Sequence, residues 1–434
     1  MGVKPCLAFS SVLVVALGAA LPLVAGPGAQ ANDARVGIAA EPEWPSLGGG
    51  FRRDGQSGDF GPLEGGVRWK FETEGAVVGS VSVGAEGRIH VACEDGKLYT
   101  LDFSGNYIWV CDVNCPLLTA PSIGPDGSLY VGARDGRLQA VDSEGRPRWT
   151  YTTNGEIYSS PAVDAGGNVY VGSTDGTLYA LNGATGEELW RFRTNGAGLS
   201  FNGAILASPS IAADGTVYIA GMYDSSLYAL NPTDGSTKWV CRFLAEVDAP
   251  ETGGWCFASP VVAKDGTIYQ TLLYDANLYA IDPATGVIRW SVDLCDPYMF
   301  GGSEHAPTAS DGWSEPVVAP DGTIYVSLDD PYLRAVHPSG VLAWVTKLGE
   351  VGSFTLTVDN AGIVYAAADD GQVYIVSPGG LTIGRFETGG WPAFPVIATD
   401  DLLILADSKD CSLLDETAKN NVWAIDARET QNHR

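Results

Sequence analysis

Leu178-Tyr179-Ala180-Leu181-Asn182, the turn Gly183-Ala184-Thr185-Gly186, and Glu188-Leu189-Trp190-Arg191-Phe192-Arg193 together decide the fold. Two runs carrying Leu and aromatic residues flank a Gly/Asn-rich turn, which is the pattern of an antiparallel hairpin. Upstream, Ser159-Ser160-Pro161-Ala162-Val163 and Asn168 to Gly172 read as two more strands, separated by Ala165-Gly166-Gly167 and followed by Thr174-Asp175-Gly176. The third strand is Thr177 to Leu181 and the fourth Glu188 to Arg193, so residues 157–194 predict four antiparallel strands.

The same grammar recurs along the chain. Tryptophan follows the hairpin turn at Trp69, Trp109, Trp149, Trp190, Trp239, Trp290 and Trp344, with gaps of 40, 40, 41, 49, 51 and 54. A further step of 40 reaches Gly384-Arg385-Phe386-Glu387, a unit that has lost its Trp. Third strands repeat as Leu98-Tyr99-Thr100-Leu101-Asp102, Leu227-Tyr228-Ala229-Leu230-Asn231 and Leu278-Tyr279-Ala280-Ile281-Asp282. First strands carry Pro121, Pro161, Pro209, Pro260, Pro316 and Pro395, a residue tolerated only at a strand start or edge. A period of 40 to 54 residues with four strands per unit is the signature of a β-propeller, here all-β with eight blades. The last unit ends at the third strand Val422-Trp423-Ala424-Ile425-Asp426, while Trp69-Lys70-Phe71-Glu72 is a fourth strand without predecessors. The N-terminal strand is therefore expected to complete the last blade and remove its open edge.

The Leu-Tyr-Ala-Leu-Asp/Asn…Gly…Trp pattern resembles the pyrroloquinoline-quinone (PQQ)-type propeller repeat, shared by quinoprotein alcohol dehydrogenases and the outer-membrane assembly factor BamB. The resemblance covers about residues 65 to 428, and it implies eight blades. Many quinoprotein dehydrogenases carry an adjacent Cys-Cys pair over the cofactor, and some add Cys-x-x-Cys-His for haem. This sequence has neither motif.

Composition sets the remaining bounds. The chain of 434 residues has 52 Asp plus Glu against 25 Lys plus Arg, a net charge of −27, which would repel a phosphate backbone and argues against nucleic acid. Residues 1–31 read as an export signal: Lys4, an apolar run from Leu7 to Val24, and Ala29-Gln30-Ala31 before Asn32. A leader at 32–64, one propeller at 65–428 and a tail at 429–434 follow. Cys6 precedes the apolar run, so no lipid-modified N-terminal cysteine is encoded, and a periplasmic or secreted, unanchored monomer is expected. Removing the signal leaves seven cysteines: Cys93, Cys111, Cys115, Cys241, Cys256, Cys295 and Cys411. An exported compartment permits disulfides, and Cys241 with Cys256 is the simplest pairing.

One Trp per unit at a fixed position reads as packing between blades, and the recurrent Asp102, Asp142, Asn182, Asn231, Asp282 and Asp426 read as turn caps. The departures from the repeat are more informative about function. The three long units are consecutive, and their extra residues lie in Asn195 to Leu206, Leu244 to Phe257 and Asp293 to Trp313. In those units the turn between second and third strands also changes, from Asp175-Gly176 to Asp224-Ser225, Asp275-Ala276 and Asp330-Pro331. Both connections emerge on one face, so blades 4 to 6 elaborate a single rim.

That rim collects Phe201, Tyr223, Asp224, Trp255, Tyr274, Asp275, Tyr298, Phe300, Glu304, His305, Trp313, Asp329 and Asp330. Aromatics among carboxylates suit a sugar or a peptide segment; the same aromatics also serve to anchor their own loops. Glu304-His305 is the one acid–His pair in these insertions and reads as a solvated pair, so no catalytic residue is assigned. No metal site is assigned either, because no EF-hand or zinc spacing occurs. The favoured reading is an exported binding scaffold for a protein or glycan, without a cofactor. The alternatives are a PQQ- and Ca²⁺-dependent dehydrogenase and, behind it, a polysaccharide lyase or hydrolase.

Overall fold

The computed structural model describes residues 53, 55, 61–63, 66–77, 79–84, 87–194, 203–222, 224–243, 256–272, 276–294, 315–328, 330–349, 354–368, 370–388, 391–398, 402–408 and 420–426. These form eight four-stranded antiparallel sheets, the blades of an eight-bladed propeller, with no helix among the described residues. Blades 1 to 7 span 82–112, 122–152, 162–193, 210–242, 261–293, 317–347 and 354–387, each running from an inner strand to an outer one. Blade 8 takes Trp391–Ala398, Leu402–Ser408 and Asn420–Asp426, and its outer strand is Gly66–Thr73, with Trp69 opposite Ala424 and Phe71 opposite Val422. The first and last described strands thus meet inside one sheet, and a hydrogen-bonded ladder joins residues more than 300 positions apart.

The inner strands are shorter than the sequence suggests. In blade 3 only Ala162–Val163 pairs with the second strand, whereas Ser159-Ser160-Pro161 was expected to belong to it. The reason lies in where the hydrogen bonds go. Pro161 has no N–H, the Ser160 N–H donates to Ser208 Oγ of blade 4 at 2.9 Å, and Ser159 Oγ accepts from Gly172 N at 3.1 Å. These residues bind neighbours instead of extending a ladder. The second, third and outer strands, Asn168–Gly172, Thr177–Asn182 and Glu188–Arg193, fall where the pattern places them.

No blade has a core of its own. Tyr170, Leu178, Ala180 and Trp190 of blade 3 pack in one buried cluster with Ile211, Val217, Ile219 and Tyr228 of blade 4. Each sheet buries its faces only against its neighbours, which is how a repeat architecture becomes one cooperative unit. The Trp column seals these seams. Trp190 stacks on Tyr170 with centroids 5.7 Å apart, and its Nε1 donates to Pro232 O in the turn between the third and outer strands of blade 4. Gly235 in that turn has φ +70° and lies so close to the indole that a Cβ would sit 2.4 Å from Cε3. The turn residues behave as caps: Asp102 Oδ1 accepts from Ser104 N and Asn106 N, and Asn182 Oδ1 from Ala184 N and Thr185 N.

Candidate functional site

Two features converge at one end of the central axis. The first is a relay of side chains at the entry to the inner strands. Ala120 N donates to Ser160 Oγ at 3.0 Å, Ser160 N to Ser208 Oγ at 2.9 Å, Ser208 N to Ser259 Oγ at 2.9 Å, and Ser259 N to Glu315 Oε1 at 3.3 Å. Each blade thereby offers an acceptor to the previous blade's backbone N–H, and blades 2 to 6 are tied together around the axis. A second layer repeats the device with carbonyls: Ser122 Oγ donates to Pro161 O at 2.6 Å, and Ser82 and Ser210 donate in the same way to Pro121 O and Pro260 O. The Pro column was legible in the sequence; the Ser that precedes it in blades 3, 4 and 5 carries the signal that was not used.

The second feature is the leader, which crosses this ring. Arg53, only 2% exposed, donates from Nε to Pro209 O at 2.6 Å and from Nη2 to Ser160 O at 3.1 Å. Gly55 O accepts from Val358 N of blade 7, and Gly61 N donates to Asp359 Oδ2 at 3.2 Å. Of the described leader residues, Arg53 is therefore bonded to blades 3 and 4, and Gly55 and Gly61 to the end of the inner strand of blade 7. Burial lowers the Arg53 guanidinium to about 10, with Glu315 offsetting part of the effect. Burial likewise pushes the Glu315 carboxyl up, against the pull of Arg53. At neutral pH the guanidinium stays charged, and its two bonds to blade carbonyls, with the Glu315 carboxyl near enough to act on it electrostatically, help fix the leader in place. Nothing local in the sequence marks Arg53: its partners are 107 and 156 positions away.

The long connections of blades 4 to 6 run into the same end of the ring, because they lead directly to Ser208, Ser259 and Glu315. Their base is a buried apolar cluster of Ala204, Leu206 and Met222, with Tyr158 and Phe257 packed against it. Met222 N donates to Ala204 O and Cys256 N to Met222 O, so the stems of two connections are stitched to each other through blade 4. Of the thirteen rim residues, Phe201, Tyr223, Trp255, Tyr274, Asp275, Tyr298, Phe300, Glu304, His305, Trp313 and Asp329 lie outside the described residues.

Asp224 and Asp330 are described, and both are engaged within their own blades. Tyr228 Oη donates to Asp224 Oδ2, as Tyr179 does to Asp175 at 2.6 Å and Tyr374 to Asp370 at 2.6 Å. Blade 6 replaces the tyrosine with a fully buried arginine. Arg334 grips Asp330 through both terminal nitrogens, at 2.9 and 2.5 Å, and donates from Nε to Leu294 O at 2.9 Å. Both carboxylates thus belong to a turn column that repeats around the ring. The expected Cys241–Cys256 bridge is not formed: both residues are thiols outside any disulfide, buried in the same apolar cluster with Leu272 and Tyr279, and burial pushes the Cys241 thiol up to about 11. Among the described residues no group of three His, Cys, Asp or Glu is placed to hold a metal ion.

Comparison with known proteins agrees with this architecture. Residues 53–157, 120–274 and 274–380 match the family model for the outer membrane protein assembly factor BamB. BamB of Yersinia pestis is 25% identical over 253 residues, 47% of this chain; the match spans 60% of the relative's length. Among solved structures, BamB from Moraxella catarrhalis superposes with a TM-score of 0.66 at 19% identity, covering 84% of this chain and all of that one. Quinohemoprotein alcohol dehydrogenase from Comamonas testosteroni superposes with a TM-score of 0.72 at 17% identity, covering 90% and 82%. At such identities the structural likeness speaks for the fold alone.

Proposed function

The chain belongs to the BamB family of propellers, and from that premise we propose that it is an exported, non-catalytic binding scaffold whose elaborated face on blades 4 to 6 recognises a protein segment or a glycan. What supports this reading is that three consecutive long connections, read from the sequence, lead into Ser208, Ser259 and Glu315 of a braced ring. Loops held at their stems by a scaffold are where recognition residues sit. The relatives' name ties them to outer membrane protein assembly, so a protein is the first ligand class to test for this chain and a glycan the second. Export rests on the signal-like residues 1–31, which lie outside the described residues.

A second reading follows from the likeness to quinohemoprotein alcohol dehydrogenase. The residues described at the axis do not fit a quinone and its Ca²⁺. Arg53 is already bonded to two blade carbonyls there, the ring is made of Ser side chains bonded to backbone, and the sequence has no adjacent cysteine pair.

The scaffold reading is tested by chemical cross-linking of the chain in the native cell envelope, followed by pull-down and glycan-array screens of purified wild type and a Trp255→Ala, Trp313→Ala double variant. Loss of the captured ligand from the variant supports recognition by this face. Full retention removes the face from recognition, and reproducible dye-linked alcohol oxidation with added PQQ and Ca²⁺ overturns the non-catalytic reading.

A further inference from the structure

Eight outer strands are eight sheet edges, and a bare edge recruits other strands unless charge or cover protects it. Here the protection is written beside the Trp column. In six of the seven blades other than blade 1, at least one residue flanking that column position is Lys or Arg. Arg148 of blade 2 reaches back to Asp126 at 2.5 Å, Lys238 of blade 4 to Asp214 at 3.4 Å, and Arg289 of blade 5 to Thr267 Oγ1 at 2.8 Å. Blade 1 departs from this rule. Its outer strand Tyr107–Asp112 carries Ile108 and Val110 at the two flanking positions, 41% and 39% exposed, next to Tyr107 at 53%.

The backbone of this strand is open as well. Among the described residues it pairs only with the third strand, Lys97–Leu101. The bond from Val113 N to Gly96 O fixes the alternation of that ladder, so the N–H and C=O groups of Val110 and Asp112 point away from the sheet. The apolar stretch ends in the exposed Asp112, on a chain of net charge −27. That charge opposes a second copy of the same chain and favours a strand with basic ends.

We propose that the outer strand of blade 1 is a docking edge, onto which a partner protein adds a fifth strand that is apolar along its length and basic at its ends. Main-chain bonds to Val110 and Asp112 supply affinity, and Ile108, Val110 and Tyr107 supply the apolar face. The site lies on the outer wall and does not depend on the elaborated face of blades 4 to 6.

The test uses the full chain and a fluorescent peptide of alternating Val and Thr with Lys pairs at both ends. Fluorescence anisotropy reports binding, and amide hydrogen exchange reports its location. The expected result is saturable binding that slows exchange at Val110 and Asp112. It is weakened at least tenfold in Ile108→Lys, Val110→Lys, a variant that copies the charged edges, and is unchanged in Leu189→Lys on blade 3. N-methylation of alternate peptide amides abolishes it. Absence of binding, equal binding by the double variant, equal binding of a Glu-ended peptide, or a dimer of the chain that the same variant dissolves would each overturn the proposal.

Discussion

Seven of the eight seams between blades are built alike, and the seam between blades 7 and 8 is not. At the seven, a Trp from one outer strand lies on the turn between the third and outer strands of the next blade. Its Nε1 donates to a turn carbonyl, from Trp69 to Phe103 O at 2.8 Å through to Trp344 to Pro378 O at 2.9 Å. Blade 8 has no such turn, because its third and outer strands come from opposite ends of the chain. Blade 7 has Gly384 at the Trp position, and a Cβ there would sit 2.7 Å from the Leu63 carbonyl of the leader. The contrast shows what selects tryptophan in this repeat: the indole appears where a turn exists to receive it and vanishes where the leader passes instead.

The largest effect that can break this comparison is loss of a regular seal. Trp190 is 8% exposed, stacked on Tyr170 and bonded to Pro232 O. Trp190→Ala is expected to cost about 3 to 5 kcal/mol, read from the urea unfolding midpoint, with hydrogen exchange opening first along the seam between blades 3 and 4. A smaller effect of opposite logic comes from restoring the repeat residue at the exceptional seam. Gly384→Trp is expected to destabilise by about 1 to 3 kcal/mol and to speed exchange of the Gly61 amide as the leader is displaced from Asp359. If this variant were instead stabilised, as a missing seal would be, the leader would not be what excludes the indole.

Much of this was legible in the residues. The spacing from Trp69 to Trp344, the Gly/Asp turns and the Leu-Tyr-Ala-Leu runs gave blade number, strand order and the caps, because each is a local pattern that one unit writes by itself. The missing Trp at Gly384 was visible, but its cause was not, since Leu63 is 321 positions away in sequence. For the same reason Arg53 and the relay through Ser160, Ser208, Ser259 and Glu315 escaped notice: each partner lies on another blade. Asp224 and Asp330 looked like exposed rim carboxylates because a turn Asp and a ligand Asp are identical in one dimension. Only the third-strand Tyr228 and Arg334 four residues later distinguish them.

The smallest expected effect separates one regular seam from five of the others. In blades 2 to 6 the second strand carries a Tyr that stacks on its blade's Trp, as Tyr130 does on Trp149, and the residue opposite it in the third strand is Ala, as Ala140. Blade 1 has His90 opposite Thr100 instead. The imidazole stacks on Trp109 with centroids 6.1 Å apart, and Nδ1 lies 2.7 Å from Thr100 Oγ1. The smaller ring is matched by a larger neighbour, so the seam stays filled, but a titratable group is now buried in it. Burial, with Arg88 nearby, holds His90 neutral down to about pH 3, whereas in the unfolded chain it takes a proton near its ordinary 6.5. Its contribution to stability is complete above that ordinary value and is lost as pH falls from there toward the folded value, at up to about 1.4 kcal/mol per pH unit. Lowering pH one unit below 6.5 should therefore cost wild type about 1 kcal/mol more than it costs a His90→Tyr, Thr100→Ala variant, which copies blade 2. Urea unfolding of both proteins across that range provides the measurement. Because the carboxylates are common to the two, the difference between their slopes belongs to His90. Identical slopes would mean that the imidazole is solvated in the fold and that this seam is looser than its neighbours.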